Sequence, residues 1–257
     1  MNESPHSLNL IYLIKLPFYK DKILLIENKT IVDQYFLTLR KYSNLPDFIN
    51  AEEIFNAEKF VFLNDSIRYL LTRACLRKII ADELNMNPKL IEYSYGKYKK
   101  PFLNIELNNR KFYFNVSHSN EYLAICTSEV NEVGIDIEFI DQKSDILLLK
   151  EQVLSEYELN CFSQLENEKE QRNYFYRLWA IKEAILKGIG IGLFYSPNSM
   201  TVFLNNMQAK VVNLLPCEEE NDFSIWKNQV IPFNENYSLV FSCKGQECDY
   251  KIIHWDI

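Results

Sequence analysis

The sequence predicts an α+β fold, on three observations. Two long stretches, 51–84 and 147–186, carry apolar residues at helical spacing, and each is followed by segments of strand character. The order strand, helix, strand hairpin runs twice along the 257 residues. Six glycines and eight prolines are too few for collagen-like, low-complexity or many-turned all-β designs, so long elements joined by few sharp turns are expected.

Leu8 to Leu16 reads as the first strand, stopped by Pro17. The polar stretch 29–53, interrupted by Pro46, holds one helix and a connection. From Ala51 to Leu84 the pattern is helical: Ile67, Leu70, Leu71, Ala74 and Cys75 recur at three and four, while Arg68, Arg73, Arg77 and Lys78 fall elsewhere on the surface. Pro88 and Lys89 end that region, and 93–101 is an aromatic and basic loop. Phe112 to Val116 and Tyr122 to Thr127 read as a β-pair turning at 117–120, and Val133 to Phe139 as a further strand.

The second half restarts with helices over 147–162 and 172–186, Phe175, Leu178, Ile185 and Ile189 forming one stripe, until Gly188, Gly190 and Gly192 end it. Strands follow at Met200 to Phe203, Tyr237 to Ser242 and Tyr250 to Trp255. The segments Tyr122-Leu-Ala-Ile-Cys-Thr and Tyr237-Ser-Leu-Val-Phe-Ser share a tyrosine, an aliphatic centre and a hydroxyl ending. Internal duplication and chance likeness between two common strands both account for this.

With 28 basic and 35 acidic side chains the net charge is −7, which excludes a nucleic-acid binder working by bulk charge. At 47% apolar and 14% aromatic the chain is no disordered segment and can bury one good core or two modest ones. The six cysteines, Cys75, Cys126, Cys161, Cys217, Cys243 and Cys248, contain no Cys-x-x-Cys pair and read as reduced thiols. Only His6, His118 and His254 are present, so a metal here is expected to be hard and oxygen-bound, Mg²⁺ before zinc. Leu8 to Ile14 lacks the flanks of a leader, and no apolar run is long enough to span a membrane, so cytoplasm is the expected address.

Three constellations carry chemistry. In Gly134-Ile135-Asp136-Ile137-Glu138 the strand period puts both carboxylates on one face, either a solvated edge or a pair projected toward Mg²⁺. In Trp179-Ala-Ile-Lys182-Glu183-Ala-Ile-Leu-Lys187, Glu183 and Lys187 are four apart, which suits a surface ion pair or a third carboxylate followed by a phosphate-binding lysine. Phe114-Asn115-Val116-Ser117-His118-Ser119 offers hydroxyls, an imidazole and turn N–H groups that would cradle an anion. Gly188-x-Gly-x-Gly192 follows a helix instead of a strand, so it is no dinucleotide loop. Arg68, Arg73, Arg77, Lys78, Lys97, Lys99 and Lys100 suit phosphates or a solvated face.

Taken together, Phe-Asn-Val-Ser-His-Ser at 114–119, Val-Gly-Ile-Asp-Ile-Glu at 133–138 and Phe-Tyr-Arg-Leu-Trp-Ala-Ile-Lys-Glu-Ala at 175–184 resemble the 4′-phosphopantetheinyl transferases in order and spacing. The likeness is to the larger, monomeric class of the surfactin-synthetase and aminoadipate-semialdehyde-dehydrogenase activators, and it covers roughly 55–193. The resemblance implies two similar α+β halves related by a pseudo-twofold, 1–138 and 139–257, with the active site between them. It implies transfer of the phosphopantetheine arm of coenzyme A to a serine of an apo acyl or peptidyl carrier protein, releasing adenosine 3′,5′-bisphosphate.

By resemblance, Asp136, Glu138 and Glu183 would hold Mg²⁺, and Lys187 would contact a phosphate. Ser117, His118, Arg68, Lys99 and Lys100 would serve coenzyme A, and Glu183 is also the candidate base. Two positions depart from the family: Lys99 where glycine is common, and Asn56 where a basic residue is common, with Arg68 and Lys59 available to compensate. The family's carrier partners are acidic around the modified serine, so an acidic chain needs a local basic or apolar patch to dock them. A different reading is a catalytically weak module binding coenzyme A or a carrier. A Mg²⁺-dependent nuclease would want a lysine close after Glu138 and a basic surface; Phe139 and Ile140 follow instead.

Overall fold

The computed structural model describes residues 8–16, 48–103, 111–213, 222–245 and 248–255. The expectation for 29–47, His6 and Cys217 lie outside the described residues. The chain divides into two compact units, residues 14–93 with 255–257, and residues 1–13 with 94–254.

Strand β1 is Asn9–Lys15. The helical unit follows with α1, Ala51–Ala57, and α2, Leu63–Glu83, two helices where the periodicity suggested one. Asn50 and Glu53 form a reciprocal capping box at the start of α1. The apolar stripe of α2, including Ile67, Leu70, Leu71 and Ala74, is buried as its spacing requires. Arg77 corrects the surface assignment of the α2 basic residues, being only 4% exposed. Its guanidinium forks onto Glu53 at 2.8 and 2.9 Å and donates to the Ile91 carbonyl at 3.3 Å, so the buried charge is fully engaged.

Among the described residues the larger unit carries three sheets and three α-helices. Strands β2, Tyr93–Tyr95, and β3, Pro101–Leu103, form a short hairpin where a loop was expected. Next come β4, Tyr113–Ser119, β5, Tyr122–Ser128, and β6, Val133–Phe139. Ser117, His118 and Ser119 continue β4, paired with Ala124, Leu123 and Tyr122 of β5 in that order, so the backbone there is a ladder and no anion-cradling turn. The reversal falls at Asn120, which takes φ 50.

The helices are α3, Ile146–Val153, α4, Glu156–Ser163, and α5, Glu168–Ile189. The expected helix over 147–162 breaks because Ser155 caps α4, its hydroxyl accepting from Glu158 N–H while Glu158 accepts from Ser155 N–H at 2.7 Å. Helix α5 ends at Gly190 in the left-handed conformation, φ 90. Then follow β7, Met200–Asn205, β8, Gln208–Asn213, β9, Trp226–Val230, β10, Tyr237–Lys244, and β11, Tyr250–His254.

One sheet has the order β11-β1-β5-β4, with β1 and β11 parallel; the other runs β6-β10-β9-β8-β7 with antiparallel pairs. Helix α5 covers β6 and β10, burying Phe175, Leu178, Ile181 and Ile185 against Val202, Trp226 and Val240. On the other side Ile135 and Ile137 pack with Leu239, Phe241, Ile11 and Ala124. The period of two along β6 therefore sends its isoleucines into one core and its acids toward α5.

Candidate functional site

Helix α5 comes unusually close to β6 because two glycines face the contact. A Cβ on Gly134 would lie 1.9 Å from the Ala184 carbonyl oxygen, and one on Gly188 would lie 2.5 Å from the Trp226 ring. This approach sets Trp179, Glu183 and Lys187, spaced at four along the helix, over Asp136 and Glu138 of β6.

Strand β4, the edge of the first sheet, meets β6, the edge of the second, through side chains. Asn115 Oδ1, Ser117 Oγ and Ser119 Oγ accept from the N–H groups of Ile135, Ile137 and Phe139 at 3.4, 3.3 and 2.9 Å. The two hydroxyls also reach the acids: Ser117 Oγ donates to Asp136 Oδ1 at 2.8 Å, and Ser119 Oγ to Glu138 Oε2 at 3.2 Å. Lys187 Nζ donates to Ser117 Oγ at 2.9 Å and to Asp136 Oδ1. Trp179 Nε1 donates to Glu138 Oε1 at 3.2 Å, and Asn115 Nδ2 to the Lys187 carbonyl at 3.0 Å.

The solvent-exposed readings left open by spacing are thereby excluded. Asp136 is wholly buried, so the β6 acids are no solvated edge. Glu183 is 8% exposed and Lys187 pairs with Asp136, so their four-residue spacing is no surface ion pair. Burial, with the adjacent Asp136 charge, pushes the Glu138 carboxyl up to about 7. Burial also pushes Glu183 up to about 7, against the pull of Lys187. For Lys187 burial works against the charged form, but the Asp136 charge and hydrogen bond outweigh it and hold the ammonium above its ordinary range.

Three carboxylates around one ammonium leave negative charge in excess. Asp136 Oδ2 and Glu183 Oε1 are buried acceptors with no hydrogen-bond partner, an arrangement that costs energy until something positive or protic meets them. Among the described residues no three His, Cys, Asp or Glu side chains are already gathered into a ligand set. The donors are hard oxygens with two orphaned lone-pair sites, and that chemistry fits Mg²⁺.

Beside Lys187 opens a cleft of about 200 Å³ lined by Tyr98, Lys99, Lys100, Asn115 and Gly190. Lys100 lays its stem on Gly190, where a Cβ would come within 2.8 Å of its Cδ, and its ammonium donates to the Gly188 carbonyl. Burial lowers the Lys100 pKa. Lys99, in the turn closed by its own N–H on the Gly96 carbonyl at 2.9 Å, takes φ 65, a conformation that favours glycine. Tyr98 meets the exposed Phe194 with ring centroids 5.2 Å apart and the planes tilted at 45°.

Of the residues expected from sequence, Asp136, Glu138, Glu183, Lys187 and Ser117 come together, with Lys99 and Lys100 at the adjoining cleft. His118 is exposed on the opposite face of β4 from Ser117. Arg68 stands on α2 in the helical unit, bonded to Asp65. Lys59 donates to Asn56 Oδ1 at 2.7 Å. Sequence reasoning had Asn115, Ser119 and Trp179 inside its motifs but gave them no role at the acids; their alternation across β4 and the helical step from Trp179 to Glu183 were the available signals.

A family model described as the 4′-phosphopantetheinyl transferase superfamily matches residues 132–242, and one described as 4′-phosphopantetheinyl transferase, N-terminal, matches 38–130. The chain is 31% identical over 171 residues to the 4′-phosphopantetheinyl transferase ffp of Bacillus subtilis, covering 66% of this chain and 72% of that one. It is 31% identical over 153 residues to the 4′-phosphopantetheinyl transferase gsp of Aneurinibacillus migulanus, covering 60% and 61%. It is 30% identical over 155 residues to the L-aminoadipate-semialdehyde dehydrogenase-phosphopantetheinyl transferase of Xenopus laevis, covering 58% and 51%. The chain spans about three fifths of the length of several curated relatives it matches.

Proposed function

The chain belongs to the 4′-phosphopantetheinyl transferases, and on that premise we propose that it moves the phosphopantetheine arm of coenzyme A onto a serine of an apo acyl or peptidyl carrier protein. The observation that carries this reading is the set of three carboxylates, two with orphaned buried oxygens, beside a lysine-lined cleft. In the reaction the serine oxygen bonds to the phosphorus bearing pantetheine, the pyrophosphate bond breaks, and adenosine 3′,5′-bisphosphate leaves with the electron pair.

Asp136, Glu138 and Glu183 would hold Mg²⁺. When bound it supplies charge neutralisation at the pyrophosphate. Lys187, Lys100 and Lys99 carry the positive charge that receives the nucleotide phosphates at the cleft. Ser117 and Ser119 hold Asp136 and Glu138 in place, and Trp179 fixes the other Glu138 oxygen. Glu183 serves first as a metal ligand, and the proposal also gives it the serine proton, directly or through water. The family motifs also name His118 and Arg68 for coenzyme A, a part of the proposal that rests on the motif match alone, His118 being on the exposed face of β4 and Arg68 on α2.

The proposal includes two similar halves, 1–138 and 139–257, supported by β5 and β10, both almost wholly buried strands with an antiparallel neighbour preceding them. It also includes a monomer acting in the cytoplasm without nucleic acid, in line with the net charge of −7. No helix among the described residues is long and apolar enough to cross a membrane. The test is intact-mass spectrometry of apo carrier proteins incubated with this protein, coenzyme A and Mg²⁺, with chelator as control. A metal-dependent gain of one phosphopantetheine is expected; no gain on any carrier while coenzyme A still binds overturns the assignment in favour of a binding module.

A further inference from the structure

A second cleft, of about 530 Å³, is walled by the first half of α5 and by residues 230–239 and serves none of the roles above. Lys169, Asn173 and Arg177 of α5 line one wall at intervals of four, a single stripe along the helix. The facing wall is largely apolar, with Met207, Pro232 and Phe233, and Glu235 is its one acid. Among the described residues neither Lys169 nor Arg177 has an ion-pair or hydrogen-bond partner, in a chain whose net charge is −7. Inside the cleft lies the Ser238 hydroxyl, 7% exposed and likewise without a hydrogen-bond partner.

Position gives these groups a meaning. Ser238 is the direct antiparallel partner of Glu138, so both side chains leave the sheet on the face that α5 covers. Ten residues separate Arg177 from Lys187, about 15 Å along the helix, with Glu183 between them. One helix thus carries a lysine cleft at its C-terminal end, the acids in the middle and this second cleft toward its N-terminal half. A transfer reaction needs two partners converging on one reacting centre, and the lysine cleft accounts for the nucleotide.

We infer that the Lys169–Asn173–Arg177 cleft docks the acceptor protein, an acidic surface of that partner lying across the basic stripe with apolar side chains against Phe233 and Pro232. The inference rests on the transferase reading for the identity of the partner. Charge complementarity selects an acidic surface, and adjacency to Glu138 lets the partner present a hydroxyl to the acids. The larger groove near Lys210 and Lys227 lies on β8 and β9. With β9 and β8 second and third from β6 in the sheet, it is about 10 to 14 Å away by strand spacing, whereas Ser238 is the immediate neighbour of Glu138.

The test uses the full chain and labelled apo acyl and peptidyl carrier proteins whose acceptor serine is changed to alanine, so that binding is read without transfer. Wild type is expected to bind at least one carrier, more weakly as salt is raised. The double variant K169E/R177E should weaken that binding about tenfold or more, with its circular dichroism and melting temperature unchanged. In transfer assays it should raise the KM for carrier and leave the KM for coenzyme A within about twofold, since rim charges act on encounter with one partner only. The charge-matched variant K210E/K227E should bind carrier as wild type does. Unchanged binding by K169E/R177E, an equal loss in K210E/K227E, or no binding of any carrier by wild type overturns the inference. Carrier binding that depends on Lys169 and Arg177 without any transfer by wild type sustains the docking surface and sinks the transferase reading.

Discussion

Ser117 Oγ donates to Asp136 Oδ1 at 2.8 Å while accepting from the Lys187 ammonium at 2.9 Å and from Ile137 N–H at 3.3 Å. One hydroxyl therefore ties together an edge strand of each sheet and the helix that covers them. Its place in the network makes it a positioning residue for the acids and the lysine.

Changing Ser117 to Ala removes that tie and leaves Ile137 N–H buried without an acceptor, at a cost of about 1–3 kcal/mol. The melting temperature should fall by several degrees. The turnover number should drop about 10- to 100-fold, because the acids and Lys187 lose their common anchor. A Ser117→Thr variant keeps the hydroxyl and should recover most of both. Wild-type turnover in Ser117→Ala, measured by carrier mass gain, would remove the residue from the positioning network.

The Glu138 and Glu183 carboxyls are raised to about 7 chiefly by burial. A group whose folded pKa exceeds its unfolded value of about 4.3 binds its proton more tightly in the native state. Stability is then fully present below about pH 4 and is lost as pH rises through 7. In chelator the melting temperature should accordingly decline between pH 5 and 8, and Mg²⁺ should restore it progressively more at the alkaline end. Glu183→Gln should flatten that decline, keep or raise the melting temperature at pH 8, and abolish transfer. A chelated protein equally stable at pH 5 and pH 8 would contradict the buried excess charge.

Lys99 holds φ 65 in a turn where glycine would sit without strain. Lys99→Gly should raise stability by about 0.5–1 kcal/mol, the relief of the left-handed conformation less the added freedom of the unfolded chain. It should also raise the KM for coenzyme A, since a cation leaves the cleft rim. Thermal melting and coenzyme A kinetics on the same preparation check both signs; a destabilised variant would mean that the Lys99 side chain itself secures the turn.

Much of this arrangement was legible in the sequence because it obeys local periods. The acids of β6 and the stripe of α5 follow spacings of two and of three and four, and Gly190 marks the helix end. Strands β8 and β9 were missed because Gln208-Ala-Lys-Val-Val-Asn and Trp226-Lys-Asn-Gln-Val alternate burial with only two or three apolar residues each. Their reality depends on neighbours in the sheet, which no short window contains. Ser117 read as part of a turn because its hydrogen bonds run to β6 and α5, distant in sequence. Lys182 and Lys187 looked alike on paper, and only their surroundings separate them.

Those surroundings predict opposite responses to metal. Lys182 is wholly buried, donating to Glu158 Oε2 at 2.6 Å and to the Val153 carbonyl at 2.7 Å, while Glu158 also accepts from Val202 N–H at 2.7 Å. This lysine pins α5, the start of α4 and β7 together and lines none of the clefts described above. Lys182→Ala strands a buried carboxylate and should cost about 3–5 kcal/mol, with or without Mg²⁺. Lys187→Ala also uncovers an acid, Asp136, but one that shares its surroundings with Glu138 and Glu183 and that Mg²⁺ would neutralise. It should be destabilised in chelator, recover on adding Mg²⁺, and then show a raised KM for coenzyme A. Melting curves of both variants with chelator and with Mg²⁺ decide the matter: rescue of Lys182→Ala, or failure to rescue Lys187→Ala, would place the metal away from Asp136.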